Sequence, residues 1–175
     1  MTFESSIYTI GIVTGGFDPI HSGHIDYIFE ASKKCHQLII GPNSDNWLKR
    51  KKGQAFMTWD ERSYIIKHLN LDCFFTILPF NDDDDSANDL ISIVDQQWND
   101  KNYFVKLLFM NGGDRQPNSI PENYTSSWGN EVSYEYGVGG NTKRNSSSQL
   151  LNDYQIKRLL NDYQITTPKN KSKKE

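Results

Sequence analysis

The sequence predicts an α/β fold, a parallel sheet with helices on both faces. Three observations carry that reading. Short apolar runs alternate with longer segments whose apolar residues recur at helical spacing, and this alternation persists along most of the chain. The apolar runs are nearly continuous, which suits strands covered on both faces. With 175 residues, the chain is long enough for one domain with a sizeable core.

Taken in order, IYTIGIV (7–13) is the first strand, short and rich in β-branched residues. A loop, TGGFDPIHSGH (14–24), follows directly. HIDYIFEASKKC then sets Ile25, Ile28, Phe29 and Ser32 on one helical stripe. QLIIG (37–41) is the second strand. NSDNWLKRKKGQAF is polar and basic and reads as a loop. TWDERSYIIKHLN opens on Thr58, a good N-cap, with Glu61 three residues on, the capping-box pattern. CFFTILPF (73–80) is the third strand, and NDDDDSANDLISIVDQQW opens another helix. FVKLLFMN (104–111) and EVSYEYGV (131–138) are the fourth and fifth strands, and SSSQLLNDYQIKRLLNDYQ is the last helix.

That last helix holds a duplication. LLNDYQI stands at 150–156 and again at 159–165. Nine residues rotate a helix about 180° beyond whole turns, so the copies face opposite sides and lengthen the helix without building one apolar stripe. Beyond Thr166 the chain is Lys-rich and lacks apolar residues, and disorder is expected there. The reading is one domain over 1–165 and a solubilising tail over 166–175.

Bulk composition narrows the function. A formal net charge of -3 argues against a nucleic-acid partner. Cys35 and Cys73 lack metal-ligand spacing and read as thiols in a reducing compartment. The first residues do not form a signal peptide, and no apolar run approaches the roughly 20 residues of a membrane span. A cytoplasmic protein is expected. The acidic run Asp82 to Asp85 reads as a solvated loop whose last residues cap the following helix, in preference to a cation site. Trp47 and Trp59 read as packing residues in preference to stacking platforms.

Position marks TGGFDPIHSGH as the leading site, since ligands of open parallel sheets bind beyond the carboxyl ends of the strands. Gly15 and Gly16 let backbone approach a ligand closely, and the following helix offers unpaired N–H groups and a positive dipole end. His21 and His24 share a face at helical spacing. A metal site, a phosphate cradle and a plain turn remain open on these residues alone. The histidine pair by itself supplies two metal ligands at most, and neither GxxxxGK[ST] nor GxGxxG follows the first strand.

GGFDPIHSGH resembles the GxFDxxHxGH signature of the cytidylyltransferase-like nucleotidyltransferases. NSD (43–45), KKG and FMTWDER resemble the segment after the second strand in choline- and ethanolamine-phosphate cytidylyltransferases and in heptose-phosphate adenylyltransferases. NGGDR (111–115) is similar to their HGDD- or KGGDY-like segment, and KRNSSSQL (143–150) to their ISTT-type motif. The resemblance covers roughly residues 8 to 152. It implies a Rossmann-like fold with a five-stranded parallel sheet, and direct in-line transfer of a nucleotidyl group to a small phosphorylated acceptor with release of pyrophosphate. It further implies that His21 and His24 contact the triphosphate, and that Lys52, or Lys51 beside it, binds phosphate. Thr14, Gly15, Gly16 and Phe17 would shape the nucleotide pocket. Asp114 and its neighbour Gly113 would face base and ribose, and Ser146, Ser147 and Ser148 would hold β- and γ-phosphate. Asp18, Arg62, Arg115 and Lys143 would serve phosphate or acceptor, with Arg144 as an alternative to Lys143. Mg²⁺ would arrive on the triphosphate, with no side-chain metal site, and a homodimer is common among such proteins.

The resemblance leaves three functional readings. CTP-dependent cytidylyl transfer to a glycerol, alditol or amino-alcohol phosphate comes first. ATP-dependent adenylyl transfer to a sugar phosphate such as heptose 1-phosphate is the alternative. A non-catalytic nucleotide sensor on the same scaffold is the reading of another class. Arg115 departs from the usual residue after GGD, SSS replaces STT, and 116–130 is expected to cover the acceptor pocket.

Overall fold

The computed structural model of the chain describes residues 7–98, 104–113, 115–140 and 146–166. The elements run β1 (Tyr8–Gly15), α1 (Ser22–Ser32), β2 (Gln37–Pro42), α2 (Asp45–Lys52), α3 (Trp59–Lys67), β3 (Phe74–Ile77), α4 (Asn88–Gln97), β4 (Val105–Gly112), a short 3₁₀ turn at Pro117–Ser119, β5 (Glu131–Val138) and α5 (Ser147–Thr166). The five strands form one sheet in the order β3-β2-β1-β4-β5, and every pairing is parallel. This is the expected Rossmann-like arrangement.

Both faces of the sheet are covered, which explains the uninterrupted apolar strands. Ile10 and Ile12 of β1, with Leu107 and Phe109 of β4, pack against Leu90, Ile91 and Val94 of α4. Val13, Leu38, Ile40 and Met110 point the other way, toward Tyr27, Ile28 and Ala31 of α1 and Ile66 of α3. Each such side chain, wholly removed from water, contributes roughly 1.5–3 kcal/mol. The crossovers from β1 through α1 and α3 build outward to β3. The chain then returns through α4 on the opposite face to β4, beside β1. Sheet order therefore reverses between β1 and β4, and their carboxyl ends, Thr14–Gly15 and Asn111–Gly112, stand side by side.

Several local expectations are corrected. The segment 45–52 is a helix, not a loop. Ser44 caps it by accepting from Trp47 N at 3.0 Å, Asp45 stands in its first turn, basic residues fill its last, and Gly53 ends it in the left-handed conformation (φ 83°). Its single buried residue, Leu48, explains why no apolar stripe announced it. On α1 the buried set is Tyr27, Ile28, Ala31 and Ser32, while Ile25 is exposed. β3 stops at Ile77, since Pro79 brings no N–H to a ladder. Asp82 is not solvated. It is 2% exposed and accepts from Ser44 N at 2.7 Å, Ser44 Oγ at 2.7 Å and Asn43 Nδ2 at 3.2 Å, which locks the loop before α4 to the start of α2. The residue capping α4 is Ala87, not an aspartate. Thr58 caps α3 as expected, accepting from Glu61 N at 3.3 Å. Both LLNDYQI copies run through α5, whose Tyr154, Ile156 and Leu159 are exposed. The tail beyond Thr166 lies outside the described residues.

Candidate active site

The carboxyl ends of β1 and β4, the N-terminal half of α1, the end of β5 and the start of α5 enclose a cavity of about 900 Å³. Into it the structure brings Thr14, Gly15, Gly16, Phe17, His21, His24, Lys52, Gly113, Arg115 and Ser146 to Ser148, residues drawn from four separate stretches of sequence. Asp114, Lys143 and Arg144 lie outside the described residues.

His21 is the N-cap residue of α1, in extended conformation, and its carbonyl accepts from His24 N at 2.9 Å. No side chain caps this terminus, and no acidic residue stands in the first turn, so the amides ahead of His24, those of Ser22 and Gly23, are the ones that could meet an anion in the cavity. The three-residue spacing stacks the two imidazoles, with centroids 3.7 Å apart and planes at 21°. Phe17, in the left-handed region at φ 47°, buries its ring and meets His24 edge-on at 5.2 Å. His24 is pulled down to about 3, chiefly by burial, then by His21 and by Lys52. It is neutral at pH 7. Its Nδ1 is buried and has no protein hydrogen-bond partner among the described residues. A neutral imidazole can offer an N–H to a phosphoryl oxygen, and an incoming anion opposes both the burial and the neighbouring positive charge that keep it uncharged.

Of the two lysines, Lys52 lines the cavity and Lys51 does not. The Lys52 Nζ donates to Asp18 O at 2.9 Å, and burial lowers its pKa. Lys51 points away, 3.0 Å from Asp85 and over the Trp47 ring. The helical rotation of α2 separates the pair. Asp18 does not face ligand either. It is 1% exposed and accepts from Phe56 N at 2.8 Å and Met57 N at 2.7 Å, fastening the loop before α3 beneath the cavity.

Arg62 is likewise displaced from its expected phosphate contact. It is fully buried and donates to Met57 O (3.3 Å), Gly16 O (2.8 Å), Asn43 O (2.8 Å) and Asp45 Oδ1 (2.6 Å). It braces the loops that carry the site. The glycines serve neighbours as much as any ligand, since a Cβ at Gly15 would stand 3.1 Å from the Phe17 ring and one at Gly16 3.0 Å from Leu48. Trp59 packs, donating to Pro42 O at 3.0 Å.

At α5 the three serines divide their work. Ser146 Oγ caps the helix by accepting from Gln149 N at 3.1 Å. Ser147 is buried and donates to Pro19 O at 3.1 Å, tying α5 to the β1–α1 loop. Ser148 is exposed along the cavity wall. The connection 116–130 does not cover the cavity. Buried Asp95 of α4 holds it on that helix, accepting from Tyr124 OH at 2.9 Å, Ser126 Oγ at 2.8 Å and Asn130 Nδ2 at 2.8 Å. Sequence reasoning also missed Asn111 and Tyr27, both lining the cavity. Tyr27 OH donates to Met110 O at 2.6 Å, and burial pushes its pKa up. Its place in α1 at the HxGH face was the available signal.

The model of the family described as cytidylyltransferase-like matches residues 12–107, which take in Thr14 to His24 and Lys52 and stop before the cavity residues of the β4 end, β5 and α5. The chain belongs to the cytidylyltransferase-like family. It carries a nucleotidyltransferase domain. Among curated proteins, the bifunctional protein HldE of Syntrophotalea carbinolica is 26% identical over 150 residues, covering 84% of this chain and 28% of that protein. The HldE of Trichlorobacter lovleyi is 28% identical over 143 residues, covering 80% of this chain and 26% of that protein. A shorter match, to the HldE of Hyphomonas neptunium, reaches 50% identity over 44 residues, 25% of this chain and 9% of that protein. The cytidylyltransferase-like chain thus spans under a third of the length of these relatives. Among solved structures, the lipopolysaccharide core biosynthesis protein of Thermoplasma volcanium aligns at a TM-score of 0.48 and 17% identity, covering 73% of this chain and 94% of that one.

Proposed function

We propose that this domain transfers a nucleotidyl group, CMP from CTP, to the phosphate of a small phosphorylated alcohol and releases pyrophosphate. One observation carries the reading. A single cavity joins the stacked His21 and His24, Lys52, and the N-terminal ends of α1 and α5. These groups are hydrogen-bond donors or cations, the complement of a chain of phosphates. They suit phosphoryl oxygens, so a Mg²⁺ would be carried by the triphosphate, where it neutralises phosphate charge.

The reaction follows from positioning and charge. An oxygen of the acceptor phosphate attacks the α-phosphorus in line, and the bond to the bridging oxygen breaks, its electron pair leaving with pyrophosphate. His24 donates its N–H to the α-phosphoryl oxygen as negative charge builds there. Lys52 neutralises acceptor or α-phosphate charge. Ser148 and the α5 amides take the outer phosphates. No covalent enzyme intermediate is needed.

Adenylyl transfer from ATP to a sugar phosphate such as heptose 1-phosphate is the second reading. The GGD pattern at the end of β4 and the series of HldE relatives favour it. Pyrophosphate release from CTP or ATP, each with Mg²⁺ and with glycerol, alditol, ethanolamine and heptose phosphates, tests both. Release with CTP and an alcohol phosphate supports the first reading, and release with ATP and a sugar phosphate the second. Binding of a triphosphate without release with any acceptor would make the domain a sensor, and absence of binding by either nucleotide would overturn the reading.

A further inference from the structure

Asn111 is the penultimate residue of β4, at the place where sheet order reverses, one residue past the last pairing with β1. It is 2% exposed, yet it forms part of the cavity wall. Its two amide atoms are in different situations. Oδ1 accepts from Arg115 Nη1 at 3.4 Å, which fixes the amide's orientation. Nδ2 is buried and has no protein hydrogen-bond partner among the described residues. A buried donor left without a partner is disfavoured in the unliganded protein, and a ligand oxygen in the adjoining cavity would satisfy it. The neighbouring polar group is the Arg115 guanidinium, itself on the wall. A neutral donor beside a cation matches an anionic oxygen in preference to an amine or a hydroxyl hydrogen.

We infer that Asn111 and Arg115 form a two-donor clamp on one phosphoryl oxygen, with Arg115 also engaging Oδ1 so that Nδ2 is the amide atom left for the ligand. The inference rests on the nucleotidyl-transfer reading, and the phosphoryl group comes from either the triphosphate or the acceptor. Two variants test it. Asn111→Asp keeps the shape, replaces the donor with a negative oxygen and leaves Arg115 paired. Asn111→Leu removes donor and acceptor together. Binding of CTP and ATP with Mg²⁺ is measured by calorimetry, and KM for the acceptor by pyrophosphate release, with thermal unfolding as the control on folding. A clamp on the triphosphate weakens nucleotide binding about 10- to 100-fold in Asn111→Leu and more in Asn111→Asp. A clamp on the acceptor leaves nucleotide binding unchanged and raises acceptor KM by a similar factor. Nucleotide binding and acceptor KM both within threefold of wild type, in folded variants, would overturn the inference while leaving the functional reading standing. Absence of triphosphate binding by the wild-type protein would instead remove the reading beneath it. If neither variant folds, the side-chain NH₂ resonances of Asn111 in the wild-type protein decide, shifting on addition of triphosphate or acceptor if the clamp exists and staying in place if it does not.

Discussion

Replacing Arg62 by Met keeps most of the stem's volume and removes every donor. Three backbone carbonyls, Gly16 O, Asn43 O and Met57 O, then lose the guanidinium that reaches them at 2.8, 2.8 and 3.3 Å. An orphaned buried acceptor costs roughly 1–3 kcal/mol. Asp45 also loses a 2.6 Å partner, but its side chain is 35% exposed and water can replace it. The variant no longer buries a guanidinium, which offsets part of the loss. The balance is a destabilisation of about 3 kcal/mol, near the lower end of values for breaking a buried ion pair. Urea unfolding measures it. With an m-value of about 2 kcal/mol/M, the midpoint falls by about 1.5 M. Arg62→Lys keeps the charge but not the fork, and its midpoint falls between the two. A loss under about 1 kcal/mol in Arg62→Met at unchanged m would refute the bracing argument. Undiminished stability together with lost triphosphate affinity would restore the phosphate contact read from the sequence.

Lys52→Ala is expected to lower the rate of pyrophosphate release about 100- to 1,000-fold, with Lys51→Ala within threefold of wild type; equal effects in a steady-state assay would undo the assignment. His24, depressed from 6.5 to about 3, leaves the folded protein one proton poorer than the unfolded chain between those values. Stability is therefore full above pH 6.5 and falls as pH drops toward 3, by at most about 1.4 kcal/mol per pH unit from this group. Denaturant titrations of wild type and His24→Gln between pH 7 and pH 5 should show the extra slope only in wild type. Gly139 holds φ 85° and a Cβ there would stand 2.8 Å from Tyr27 Cα, so Gly139→Ala should cost about 1–3 kcal/mol in thermal or urea unfolding.

The sequence by itself determined the five strands and their parallel order of connection, and it marked the loop after β1, which borders the cavity, as the candidate site. Those signals are local. Apolar runs, the Thr58 cap and the spacing of His21 and His24 act within a few residues. Where the local signal was weak, reading failed: α2 buries a single side chain, so its helical period was invisible, and its caps at Ser44 and Gly53 were the only cue. Tertiary structure alone decided which charged residues face the cavity. Asp18, Lys51, Lys52, Arg62 and Asp82 are all polar residues near the motif, and nothing in their spacing tells a ligand contact from a brace. Lys51 and Lys52 part because one helical step turns about 100°. Asp18, Arg62 and Asp82 are buried because partners converge on them from loops and a helix start 17 to 46 residues away along the chain. Desolvating a charge is tolerable only when such partners converge on it, and that convergence exists in three dimensions alone.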